Sequence, residues 1–203
     1  MTRVLEFDKV GESKNMTKAE KIKYLLTPAI GFGLGGALWG WRWFGFWTGS
    51  APNDFGIISG AILLGLFGSL SLIVFLEYVK PSKKAFIVLG GAFLWGIGLY
   101  VWGASFLFLA LIFPPGIVLL LLLLGILLAL FYALVLKVRI WPIIWRGGAG
   151  IVLGFIIGPT SGSLIGHNLL NSSIIAEIFS FTFVGIILGL FLGWGLYKGQ
   201  KPK

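Results

Sequence analysis

The chain contains no cysteine, a single histidine and only seven acidic residues in 203 positions. Without thiols there is neither a disulfide framework nor a thiolate metal site. Outside the N-terminal segment 1–26 the acids are Asp54, Glu77 and Glu177, and the histidine is His167. All four map near the ends of apolar stretches. So few groups exclude a paired-carboxylate mechanism and a histidine-rich metal centre. They also leave out the buried ionisable residues that mark proton relays and ion-coupled pumps. As a haem or pigment ligand His167 would lack both a second ligand and an attachment motif, so it reads as an interfacial residue. No nucleotide-binding motif is present. The expectation is a protein that is not an enzyme, with no cofactor and no metal.

Charge is also scarce. Charged residues make up 11% of the chain against 58% hydrophobic, and the mean hydropathy is +0.99. A soluble domain carries about a quarter charged residues, so this chain cannot cover its surface with polar groups. Six apolar stretches are present, at 27–48, 56–79, 86–112, 116–136, 147–170 and 174–197. Each reaches the roughly 20 residues needed to cross a bilayer core as a helix. Long runs joined by short loops indicate helices rather than the short alternating strands of a membrane barrel.

The basic residues fix an orientation. Arg3, Lys9, Lys14, Lys18, Lys21 and Lys23 precede the first stretch. Lys80, Lys83, Lys84, Lys137, Arg139, Arg146, Lys198, Lys201 and Lys203 fall on alternate connections and the C-terminal tail. Arg42 alone of the 16 lies toward the other side. The positive-inside rule then predicts both termini in the cytoplasm. The net charge of +9 reads as topological, with a secondary attraction to anionic lipid and no nucleic-acid partner. The first apolar run is too long, and too rich in Trp, for a cleaved signal peptide; Gly49-Ser50-Ala51 resembles a cleavage site only faintly. The predicted fold class is an all-α polytopic cell-membrane protein with six transmembrane helices. A basic tail and short interfacial helix (1–26) come first, then the membrane domain (27–197) and a basic C-terminal tail (198–203). Thr17-Lys18-Ala19-Glu20 has the pattern of a capping box opening that interfacial helix.

Small residues repeat. Gly-Gly-Ala occurs at 35–37, 90–92 and 147–149, each in an odd-numbered stretch. The even stretches carry a small residue every fourth position: Ala61, Gly65 and Ser69; Gly125, Ala129 and Ala133; Gly185, Gly189 and Gly193. Three consecutive helical hairpins would produce this pattern, and so would the general abundance of small-xxx-small motifs in membrane helices.

Chemistry is concentrated in few places. The fifth stretch has glycine at 150, 154, 158, 162 and 166, with Gly158-Pro159-Thr160-Ser161-Gly162-Ser163 in the middle. Proline removes the donor to the Phe155 carbonyl, and the hydroxyls of Thr160, Ser161 and Ser163 suit the freed backbone. Such interrupted helices hold substrate in transporters, and hydroxyls with no carboxylate would suit a neutral or weakly charged solute. Close packing of another helix on Gly150, Gly154 and Gly166 explains the glycine spacing equally well, though not the Pro-Thr-Ser interruption. His167, Asn168 and Asn171 gather with Glu177 across the next loop, as helix caps or as a proton-sharing pair. Asn171-Ser172-Ser173 also matches a glycosylation sequon too close to the membrane to be modified. Trp39, Trp41, Trp43 and Trp47 surround Arg42, Phe44 and Phe46, either as an aromatic belt with a snorkelling Arg or as a vestibule in which Arg42 and Trp43 meet a ligand. Two functions remain. One is a permease- or channel-like protein binding solute near the fifth helix. The other is a non-catalytic subunit of a larger membrane complex, docking a partner or a second copy through small-residue faces.

Overall fold

The computed structural model describes residues 17–47, 55–74, 80–112 and 114–199, with side chains placed except at 44–47, 55–57, 102–112 and 114. Asp54, Glu77, Gly49-Ser50-Ala51 and the side chains of Phe44, Phe46 and Trp47 lie outside what is described. Among the described residues six helices follow one another: α1 (Lys18–Trp47), α2 (Phe55–Ile73), α3 (Pro81–Ile112), α4 (Pro114–Leu136), α5 (Ile140–Ser163) and α6 (Ser173–Gly199). A π-helical segment, Leu164–Leu169, extends α5. Four segments are long and apolar enough to cross a membrane: Pro81–Val101, Pro115–Leu136, Ile140–Leu169 and Ser173–Gly199. The apolar part of α2, Ile58–Ile73, is shorter.

The expected boundaries shift most at two places, and α3 also begins at Pro81 rather than near 86. The helix opened by the capping box is not separate from the first span, because α1 runs unbroken from Lys18 to Trp47 through Pro28. The box itself is formed: the Thr17 N–H donates to Glu20 Oε2 at 2.8 Å, and the Glu20 N–H donates to Thr17 Oγ1 at 3.3 Å. The second shift is in α5, which starts at Ile140 rather than near 147. Pro142 falls in its first turn, where a missing N–H costs nothing. Arg146 folds back, with Nη1 donating to the Pro142 carbonyl at 2.8 Å and its guanidinium 4.4 Å from the Trp194 ring. A Pro-Arg stretch that reads as loop is therefore helix.

Consecutive helices are antiparallel neighbours, and α6 returns against α1 to close a ring of six. The closest contacts are glycine contacts. Gly185 and Gly189 place α6 on the α1 backbone at Phe32 and Pro28, and Gly36 and Gly40 of α1 meet α6 at Phe181 and Glu177. Gly150, Gly154, Gly158, Gly162 and Gly166 all face α6, one turn after another, from Leu188 and Phe191 to Ala176. Gly193 lies against the carbonyl of Tyr24, which Pro28 deprives of its helical donor. Gly65 meets Gly91 and Ala92 of α3, and Gly125 meets Gly147 and Gly148 of α5. Each even helix thus presents its small stripe to the next odd helix, with α1 following α6.

Aromatic rings fill the middle of the ring of helices. Phe32 lies 5.9 Å from Trp95, and Trp39 lies 4.2 Å from Phe181 and 6.1 Å from Phe155. The hydroxyls of Ser69 and Tyr132 hydrogen-bond at 2.8 Å between α2 and α4. Large apolar side chains such as Leu89, Phe93, Leu127 and Leu169 point outward, as helices in lipid require.

A methyl group at Gly189 would collide with the Pro28 backbone, which cannot move aside, whereas one at Gly90 meets only the tip of the Phe131 ring, at 2.7 Å. Gly189→Ala is expected to cost about 2 kcal/mol and Gly90→Ala clearly less, measured by thermal unfolding in detergent.

Candidate functional site

A cavity of about 450 Å³ lies among α1, α4, α5 and α6, toward the end of the bundle opposite Lys18 and Gly199. Its position follows from the glycine contacts. α4 and α5 touch where Gly125 meets Gly147, Gly148 and Ile151. Farther from the basic end the two helices part. Ile117, Val118 and Leu121 then face Val152, Phe155 and Ile156 across open space. α6 supplies the back wall with Val184, Phe181, Ser180, Glu177 and Ala176, and α1 contributes Trp43.

The cavity is graded. Its deep end, near Leu121, Val152 and Val184, is apolar, and its floor rings Phe155 and Phe181 pack on buried Trp39. Ser163, His167 and Glu177 line the other end. From Val152 to His167 the wall runs 15 positions along one helix, or about 22 Å. His167 and Glu177 are within range of each other's charge. Neither caps a helix. Ser172 caps α6, its Oγ accepting from the Ile175 N–H at 3.4 Å, and Glu177 sits half-buried beyond the first turn. His167 belongs to the π-helical turn, which closes with Leu170 N–H donating to the Ile165 carbonyl at 3.1 Å. A π turn re-aims side chains relative to an α-helix and recurs at functional sites. Asn171 ends the segment with φ 48°, a left-handed conformation that Asn tolerates better than most residues.

The residues singled out from the sequence separate into two groups. Pro159, Ser163, His167 and Trp43 meet at the cavity. Gly158 and Gly162 turn away from it and pack on Ser180, Val184 and Ala176. Thr160 is exposed and bonds back to its own helix, Oγ1 donating to the Ile156 carbonyl at 3.0 Å. Ser161 is half-buried and is not among the lining residues. Arg42 lies beside Trp41, its guanidinium 5.9 Å from that ring, and also stands off the cavity. The helix continues through Pro159 without a break, and Pro159 lies beyond the centre of the 30-residue apolar segment Ile140–Leu169.

Sequence reading overlooks the α6 wall. Ala176, Ser180 and Val184 form a four-residue row that both receives the α5 glycines and borders the cavity. That spacing is visible in the sequence, but the Gly185-Gly189-Gly193 row beside it is the stronger signal. Ser180 is buried with Oγ donating to the Ala176 carbonyl at 2.7 Å. Among the described residues no three His, Cys, Asp or Glu side chains gather where a metal could bind.

Comparison with protein-family models, with curated proteins and with solved structures finds no match to this chain.

The absence of native cysteine allows a direct check of the cavity. Ser163→Cys is expected to react with a membrane-impermeant thiol reagent applied to the side away from Lys18 and Gly199, while Ser180→Cys stays unmodified. Equal protection at both positions would show the cavity to be dry.

Proposed function

We propose that this integral membrane protein binds a small neutral or weakly charged solute in the cavity among α1, α4, α5 and α6, in the manner of a permease's binding site. The observation that carries this reading is the graded cavity. Its volume falls in the range of small-molecule sites, and a mostly apolar wall with a few convergent polar groups is their usual composition. Pro159, Ser163, His167 and Trp43 contribute to it. In the full proposal the chain crosses the membrane six times as three related hairpins, with both termini cytoplasmic, and the cavity faces outward. Passage of solute would require the rings of Trp39, Phe155 and Phe181 below the floor to move, which favours alternating exposure over an open channel.

A second reading, a non-catalytic subunit of a larger complex, is limited by the packing. The stripes at Gly65, Gly125, Gly150–Gly166 and Gly185–Gly193 are occupied within the chain itself, so a partner would have to dock elsewhere. Binding to a separate energising protein is compatible with both readings, since the chain carries no nucleotide-binding motif.

The test is ligand-induced stabilisation of the purified protein across a panel of neutral and weakly charged solutes. A true ligand at about a hundredfold excess over Kd adds about 2.7 kcal/mol to the stability of the folded state. Ser163→Trp, which fills the cavity from an exposed position, should keep the unliganded melting temperature and lose this stabilisation. If no solute acts and the protein is stable only with a co-purifying partner, the subunit reading prevails.

A further inference from the structure

The cavity has a side opening as well as an end. On its α4–α5 side it is bordered outwardly by Val118, Ile156 and Pro159, and the first two are 48% and 58% exposed. These residues lie on the outward face of α4 and α5, both long and apolar enough to cross a membrane, where the surroundings are hydrocarbon rather than water. A lipid-soluble molecule therefore reaches the slot without crossing an aqueous phase. The polar groups sit at one end only. Glu177 is, among the described residues, the one carboxylate away from the basic end, and it borders the cavity half-buried beside His167. A carboxylate at that depth is costly unless a cation or strong donor meets it.

Resting on the reading of this cavity as a binding site, but replacing the small neutral or weakly charged solute because the Glu177 carboxylate lines the space, we propose that the ligand is a single-chain amphiphile with a cationic amine head, entering sideways from the bilayer between α4 and α5. Its chain lies along the α5 wall toward Leu121, Val152 and Val184. Its amine donates to the Glu177 carboxylate, with the His167 imidazole and Ser163 hydroxyl as further polar neighbours. The lining rises about 22 Å along α5 from Val152 to His167 and about 12 Å along α6 from Ala176 to Val184, an elongated space that suits an extended chain better than a compact solute.

The probe is a long-chain primary amine carrying a diazirine near the end of its chain, added to the full protein in phosphatidylcholine nanodiscs. Matched probes carry an alcohol or a sulfonate head, and a propylamine diazirine lacks the chain. After photolysis the long amine should mark the deep wall around Leu121, Val152 and Val184, and the sulfonate probe should not. Glu177→Gln should reduce capture of the amine about tenfold, the loss expected for one charge-assisted hydrogen bond, and leave capture of the alcohol unchanged. Val118→Trp, a lipid-facing change that blocks the side opening without touching the polar end, should abolish long-chain labelling and spare propylamine.

Equal labelling by amine and sulfonate, or indifference to Glu177→Gln in a protein of unchanged melting temperature, overturns the cationic head. Labelling confined to outward residues such as Leu127 overturns the amphiphile altogether. In that case, reaction of Ser163→Cys with the aqueous thiol reagent preserves a binding site for water-soluble ligands, and failure of that reaction removes the binding site as well.

Discussion

Helices in lipid gain nothing from hiding apolar side chains from one another, because the surrounding chains are equally apolar. They are held by close van der Waals contact, which glycine permits by letting backbones approach. In this protein α6 is where that constraint is met most completely. One face of α6 carries Gly185, Gly189 and Gly193 and lies on the backbone of α1, while an adjacent face, Ala176-Ser180-Val184-Leu188, receives Gly150, Gly154, Gly158 and Gly162 of α5 and Gly166 of its π-helical extension. The last helix in the chain is thereby fixed between the first and the fifth, and the ring closes.

The cavity is a consequence of where that contact stops. α5 is joined to α6 by glycine contacts from Gly150 to Gly166, whereas its glycine contacts with α4 lie around Gly147 and Gly148. Toward the far end bulky Ile117, Val118 and Leu121 stand opposite Val152, Phe155 and Ile156. Aromatic rings fill the centre below, so the space is a slot with a floor. The same glycine stripe that holds α5 against α6 turns the other side of α5, with Pro159, Ser163 and His167, toward the slot. Packing and a binding site, which compete as explanations of this segment in the sequence, occupy two faces of one helix.

How much of this is legible in the sequence differs by feature. The six helices are, because long apolar runs separated by charged or Pro-containing connections have few other solutions; α1, α3, α4 and α6 end within two residues of the expected positions, and α5 does so once its π-helical extension to Leu169 is included. The starts of α1 and α5 are less legible. Lys18 to Lys23 is charged and Arg139 to Arg146 sets Pro142 between two arginines, so both resemble loop, yet a capping box in one case and a first-turn proline with a folded-back arginine in the other keep them helical. The glycine spacing announces close packing but not the partner: Gly185, Gly189 and Gly193 serve α1, and only the structure shows that the α5 stripe meets a different row. Among site residues, His167 and Glu177 stand out by rarity. Their shared cavity depends on the π turn at Leu164–Leu169, and no periodicity rule anticipates that turn.

The central claim is that α6 closes the ring on α1 through glycine contact, and a disulfide between the two helices tests it most directly. A Cβ at Gly33 would lie 2.8 Å from Cγ1 of Ile186, so a Gly33→Cys, Ile186→Cys pair is placed for a bond with relaxed geometry. In a chain with no other cysteine, mild oxidation in native membranes should link residues 33 and 186 within one molecule, and a Gly33→Cys, Leu127→Cys pair should remain unlinked. Absence of the 33–186 bond, or formation of the 33–127 bond, would contradict the closed ring and with it the origin of the cavity.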